Sequence, residues 1–347
     1  MNPSSHETIL YEKKGKIVRC KICQRYCVIP EGKFGFCRTR YNENGKLFSL
    51  IYGQVEVIHI APSEAKPIYH FKPGGRWLSL GTVGCNFRCI GCQNWHIAHY
   101  KIKNKNEKLS GEYMTPSSIV KIAQDSHCIG LSWTYNEPTV WFEYTLDGSR
   151  LAHKYGLFTS YVTNGYITKE ALDLIAPYLS VFRVDIKSSQ KEFYEKIAKG
   201  VEPRGIFEVT EYAKHRYNIW VEVVTNVIPG FNDSTRDLRT IAKWIYEHLG
   251  KDTPWHITQF VPHLKLSHLK STSVETLERG YKIGKETGLN FVYIGNIPGH
   301  PYENTYCPHC GKLLIKRFHF DVIENKLKND RCPYCGNKIP IVTTPFL

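Results

Sequence analysis

Between residues 77 and 294 the chain alternates short apolar runs with longer stretches whose apolar positions recur at helical spacing. The runs at 77–83, 128–134, 157–163, 181–186, 219–227, 255–261 and 290–294 are rich in β-branched and aromatic residues and predict strands. Several of them, such as Phe182, Arg183, Val184, Asp185 and Ile186, read as strands of a parallel sheet covered on both faces. Helices are predicted between them. One spans 116–124, with Thr115 as N-cap and Pro116 at the first helical position. Others span 168–176, opened by Thr168, then 234–249, closed by Gly250, and 273–287, closed by Gly288. Strand–helix alternation of this kind builds a parallel sheet, so the predicted class is α/β, as a doubly wound sheet or a partial or full barrel. Barrel chemistry collects at the C-terminal ends of the strands. Polar residues do follow the strands here: Cys85 after Gly84, then Asn136 and Glu137, Asn164, and Lys187, with Asp185 and His256 inside their strands.

Composition narrows the class. Hydrophobic residues make up 42% of the 347 and charged residues 22%, enough apolar material for a large packed core. The first 16 residues lack the apolar core of a signal peptide, and no run approaches the ~18 apolar residues that span a bilayer. A soluble cytoplasmic protein without membrane partners is expected. The net charge of +14 invites anionic partners, but the basic residues are scattered rather than gathered in one patch.

The 12 cysteines change the picture most. All but Cys128 fall into three short-spaced groups, which in a reducing compartment read as metal sites rather than disulfides. Those groups divide the chain into an expected Cys-rich extension at 1–72, a catalytic barrel at 73–298 and a small metal-bound segment at 299–347. Cys128 reads as a buried apolar residue.

The central group, Cys85, Cys89 and Cys92, comes from one tight loop directly after a strand. Three thiolates suit a cubane iron–sulfur cluster with one iron left open, whereas a structural zinc site wants four protein ligands. The last group pairs two Cys-Pro-x-Cys-Gly knuckles, Cys307 with Cys310 and Cys332 with Cys335. Paired knuckles signal a zinc ribbon or rubredoxin-like site; zinc is favoured, with a one-electron iron relay as the alternative. The first group, Cys20, Cys23, Cys27 and Cys37, is open to structural zinc or an auxiliary cluster, and zinc is placed slightly ahead.

The Cys-x3-Cys-x2-Cys loop after the first strand of a βα array resembles the hallmark of the radical S-adenosylmethionine superfamily. The resemblance implies a partial (β/α)6-type barrel, a [4Fe-4S] cluster on Cys85, Cys89 and Cys92, and S-adenosylmethionine as cofactor. It further implies cofactor contacts at Asn136 and Glu137, at Thr163 and Asn164, at Asp185 and Lys187, and at His256, with residues 227–230 packing on adenine. One position departs from the pattern: Gly91 stands where an aromatic usually precedes the third cysteine. Nearly the whole chain is similar to the radical enzyme of the AmmeMemoRadiSam system, a group like the pyruvate formate-lyase activating enzymes. The similar stretches include Gln93, Asn94 and Trp95 after the central loop, and residues 295–306. This implies Memo-like and AMMECR-like partner proteins and a low-potential electron donor of the ferredoxin or flavodoxin type.

The function expected is therefore an oxidoreductase in which a 5′-deoxyadenosyl radical takes hydrogen from a pathway substrate. Activation of a glycyl-radical enzyme is the alternative. A zinc-ribbon nucleic-acid-binding protein is a further one, disfavoured because it leaves the central cysteines unexplained. Lys66, His70, His300 and Glu303 are candidates for substrate contact.

Overall fold

The computed structural model describes residues 4–343. Its centre is one eight-stranded sheet. In chain order the strands are β1 (Val57–Pro62), β2 (Arg76–Gly81), β3 (Gly130–Trp133), β4 (Phe158–Thr163), β5 (Val181–Asp185), β6 (Trp220–Val227), β7 (Trp255–Gln259) and β8 (Val292–Gly295). They lie side by side in that same order. β1 pairs antiparallel with β2, and every later pair is parallel. Parallel neighbours need crossovers, and the helices supply them on the outer face. These are α1 (Pro116–Asp125), α2 (Phe142–Lys154), α3 (Lys169–Ile175), α4 (Arg204–Tyr217), α5 (Thr235–Trp244) and α6 (Val274–Thr287).

The predicted cap at Thr115 and opening at Thr168 form, and Ser234 and Ser273, the first residues of their predicted helices, are N-caps as well. Thr115 accepts from Ser118 N in a reciprocal capping box, Thr168 from Ala171 N, Ser234 from Asp237 N and Ser273 from Thr276 N. Gly288 closes α6 at φ +104°, where a side chain would be strained. The helical run from 234 ends as α5 plus a π turn, Ile245–Leu249. Helices α2 and α4 were not predicted; α2 carries Gly148 at its centre, where a Cβ would lie 2.7 Å from the Trp133 ring. The main sheet also begins earlier than residue 73, because β1 belongs to it.

The sheet is open but curled. The segment after β1 reaches across to strands five and seven places away: Tyr69 N and His70 N donate to Glu222 on β6 at 2.9 and 2.8 Å. His70 Nε2 meets the Tyr293 hydroxyl of β8 at 2.6 Å. A flat sheet could not bring these together. Arg317, from the C-terminal ribbon, seals the same region by bonding Glu64 at 3.2 Å, Thr305 Oγ1 at 2.7 Å and Tyr69 O at 3.0 Å. The ribbon strands Leu313–Phe318 and Asp321–Asn325 share a small core with β8, built from Leu314, Ile315, Ile339, Phe291 and Tyr293. Before the sheet come small antiparallel pairings, such as Tyr11–Lys14 with Ile17–Cys20, which ends on the first cysteine.

Candidate active site and metal centres

At the C-terminal ends of β2 to β8 lies a cavity of about 590 Å³. Cys85, Cys89 and Cys92 line it, with Asn136, Thr163, Asn164, Asp185 and Lys187 from the following strands. The loop that carries the cysteines is tightly held. A Cβ on Gly84 (φ +88°) would lie 2.4 Å from Thr39 and 3.0 Å from Cys37 O, so only glycine admits this approach. Asn164 Nδ2 donates to Asn86 Oδ1 at 2.7 Å, Asn136 Nδ2 to Gly84 O at 2.8 Å, and Asn94 Nδ2 to Tyr135 O at 2.6 Å. Three asparagines thus tie the cysteine loop to the ends of β3 and β4.

Electrostatics divides the cavity wall. Asp185 bonds both the Arg183 guanidinium and Lys187 Nζ, the latter at 3.0 Å. Burial pushes the Asp185 carboxyl up, but Arg183 and Lys187 override it and hold the group below the usual carboxylate range. Lys187 is held cationic by Asp185 against the same burial. Burial raises the Cys85, Cys89 and Cys92 thiols, Cys92 to about 11, while Lys187 works to lower Cys89 and Cys92. Buried thiols of this kind ionise when a metal takes the proton's place.

Two residues expected at the cofactor, Glu137 and His256, do not line the cavity. Glu137 is fully buried off the cavity wall, with both oxygens engaged. Oε1 accepts from Thr139 N at 3.0 Å, Thr139 Oγ1 at 2.6 Å and Thr163 Oγ1 at 2.7 Å, and Oε2 from Asn164 N at 2.8 Å. These bonds brace the ends of β3 and β4. His256 is also off the wall: its Nε2 bonds Glu222 at 2.7 Å inside the barrel, because its position along β7 points it away from the strand end. Of the other candidates, Lys66 lines the cavity, with Nζ on Ala61 O and Pro62 O and burial lowering it to about 8. His70 is locked in the Glu222 region, His300 faces Glu278 at 3.3 Å, and Glu303 accepts from Gly299 N and His319 N.

Arg183 and Phe260 were not singled out by the sequence. Arg183 lines the cavity and its buried Nε has no partner, a donor suited to a carboxylate. Its signal was a charged residue inside an apolar strand, two places before Asp185 on the same face. A Cβ on Gly91 would meet Leu266 at 2.8 Å and Phe260 at 3.3 Å, so an aliphatic and an aromatic side chain from beyond β7 together cover the position the loop leaves bare.

The C-terminal thiols form a closed set. Cys307 and Cys335 Sγ are 3.7 Å apart, as are Cys310 and Cys332, and all four lie within 4.8 Å of one another. A tetrahedral ion with sulfur bonds of ~2.3 Å sets its ligands about 3.8 Å apart, so the set fits one zinc or iron. The N-terminal four, Cys20, Cys23, Cys27 and Cys37, line a separate cavity behind the central loop.

A curled parallel α/β sheet that presents three clustered cysteines and a charged cleft at its strand ends defines a cluster-binding enzyme scaffold. The model of the Radical SAM superfamily matches residues 79–245. Over 97% of this chain and 99% of its own length, the Methanocaldococcus jannaschii protein MJ0808, described as uncharacterized, is 43% identical. MJ0674 of the same organism, also described as uncharacterized, is 22% identical over 79% of this chain and 76% of its own. Among solved structures, a radical SAM methyltransferase from Sphaerobacter thermophilus overlays 70% of this chain and 75% of its own with a TM-score of 0.48 at 14% identity. The chain belongs to the radical SAM superfamily, whose members are enzymes of radical chemistry using a [4Fe-4S] cluster and S-adenosylmethionine. Among the described residues, no helix is long and apolar enough to cross a membrane.

Proposed function

We propose that this chain cleaves S-adenosylmethionine reductively, yielding methionine and a 5′-deoxyadenosyl radical that takes hydrogen from a substrate in the remainder of the cleft. The observation that carries this reading is one cavity lined at once by three cysteines, which leave one iron of a cubane without a protein ligand, and by the Arg183, Asp185 and Lys187 charges. A cluster held there supplies one low-potential electron. The chain's own groups do the rest. Asp185 and Lys187 offer opposite charges to a zwitterionic amino-acid end, and Arg183 Nε offers a carboxylate donor already stripped of water. Ile228 and Phe260 line the cavity as apolar surfaces for the adenine ring. Glu137 fixes the strand ends so that Asn164 and the cysteine loop keep their positions.

The length of the sequence resemblance supports a place beside Memo-like and AMMECR-like proteins, with a ferredoxin- or flavodoxin-like electron donor. The charge pair of Asp185 and Lys187, similar to that of glycyl-radical activases, supports activation of such an enzyme as a second reading. The test is anaerobic: reconstituted, reduced protein is expected to convert S-adenosylmethionine to 5′-deoxyadenosine and methionine, and Cys89→Ala to lose this. No 5′-deoxyadenosine from fully loaded protein overturns the proposal. A glycyl radical signal on adding a candidate partner enzyme would select the second reading.

A further inference from the structure

Cys20, Cys23, Cys27 and Cys37 enclose a cavity with Arg25 and Asn86 in its wall. Among the described residues, only the ribbon quartet has three or more such ligand atoms mutually within 4.8 Å, so no three of these amino-terminal sulfurs are that close. A single tetrahedral ion would need separations of about 3.8 Å. A cubane, whose thiolates stand ~2.3 Å outward from separate irons, needs sulfurs roughly 6 Å apart. Like Cys85, Cys89 and Cys92, and unlike the ribbon, the amino-terminal sulfurs form no group close enough to share one ion.

The cavity wall has the chemistry of a cluster pocket. Phe36 N donates to Cys27 Sγ at 3.5 Å and Thr39 Oγ1 to Cys37 Sγ at 3.2 Å, bonds that favour thiolates. Asn86 Nδ2 is buried without a partner in the protein, and a cluster sulfur would accept from it. Arg25 and Arg40 also line the cavity and offset the negative charge of four thiolates. Only Arg40 is committed to a carboxylate, Glu143 at 2.9 Å.

We infer that these four cysteines hold a second iron–sulfur cluster of the cubane type rather than structural zinc. Four protein thiolates leave no iron open, so substrate chemistry stays at the central site. The two sites are built as one unit. Arg88 donates to Cys85 O at 2.8 Å and to Cys37 O at 3.3 Å, and Arg25 reaches the backbone oxygen of Asn86, next to Cys85.

Anaerobic reconstitution of the full chain with iron, sulfide and zinc tests this. The wild type is expected to hold about eight irons and one zinc per chain; about four irons with two zincs would overturn the inference. Changing Cys85, Cys89 and Cys92 together to Ala should leave about four irons and a signal on dithionite reduction that S-adenosylmethionine does not alter. Iron-free protein from that variant, still folded by circular dichroism, would also overturn it. Since this variant lacks the central cluster, its iron reports on the amino-terminal site alone, and failure of cofactor cleavage in the wild type would leave the result intact. If the variant does not fold, the wild-type metal count still decides.

Discussion

The Nε2 of His256 lies 2.7 Å from the Glu222 carboxylate, deep in the barrel, where the backbone amides of Tyr69 and His70 reach the same two oxygens. Glu222 stays ionised although burial opposes it, because His256 and these amides hold it below its usual range. Burial lowers His256, which is therefore the neutral donor of the pair. The knot joins the segment after β1 to β6 and β7, and through His70 to Tyr293 of β8 and to Pro340 O.

This knot makes stability depend on acid. Burial lowers His70 from 6.5 to about 4. The unfolded chain thus takes up this proton near pH 6.5 and the folded chain does not until about pH 4, so stability falls as pH drops across that window. The loss from this group should approach about 3 kcal/mol at the acid end. Denaturant unfolding from pH 7 to 4 should show the slope, shallower in His70→Gln than in the wild type after correction for the starting stability.

Asp185→Ala should weaken S-adenosylmethionine binding by about 1.5–3 kcal/mol, roughly ten- to a hundredfold in Kd. Iron content should not change, since Asp185 sits on β5 and the cysteines follow β2. Equilibrium binding to the reconstituted protein measures it, and an unchanged Kd would remove Asp185 from the cofactor site.

Glu137→Ala should behave differently. Removing a buried carboxylate that satisfies four donors leaves those donors without partners, and the cost should be about 3 kcal/mol or more of stability. A lowered unfolding midpoint is therefore the primary effect, with weakened cofactor binding secondary to it. Normal stability with lost binding would make Glu137 a direct ligand contact instead.

Cys310→Ala should lower zinc content and loosen the ribbon while the visible absorption of the central cluster persists, because the closed set of four sulfurs admits one ion. Metal analysis with limited proteolysis of the C-terminus checks this. A rubredoxin-like iron spectrum from the wild type would assign that site to iron.

Much of this protein was determined by local sequence. The seven parallel strands and the caps at Thr115, Thr168, Ser234 and Ser273 follow from residue periodicity and from side chains that satisfy nearby amides. Knuckle spacing likewise brought Cys307, Cys310, Cys332 and Cys335 together, since each pair is bound by a single tight turn. What the curl of the sheet decided was not local. Glu222 meets residues 152 and 153 positions away, so no spacing rule could have turned His256 inward or occupied it there. Glu137 likewise found its partners only when β3 and β4 lay side by side, and Arg183 became a cavity donor only when seven strand ends converged. The surroundings of the amino-terminal cysteines belong to the same class: Gly84 packs against Cys37 O and Thr39, Arg88 donates to Cys37 O, and Asn86 joins the cavity wall, all from far along the chain.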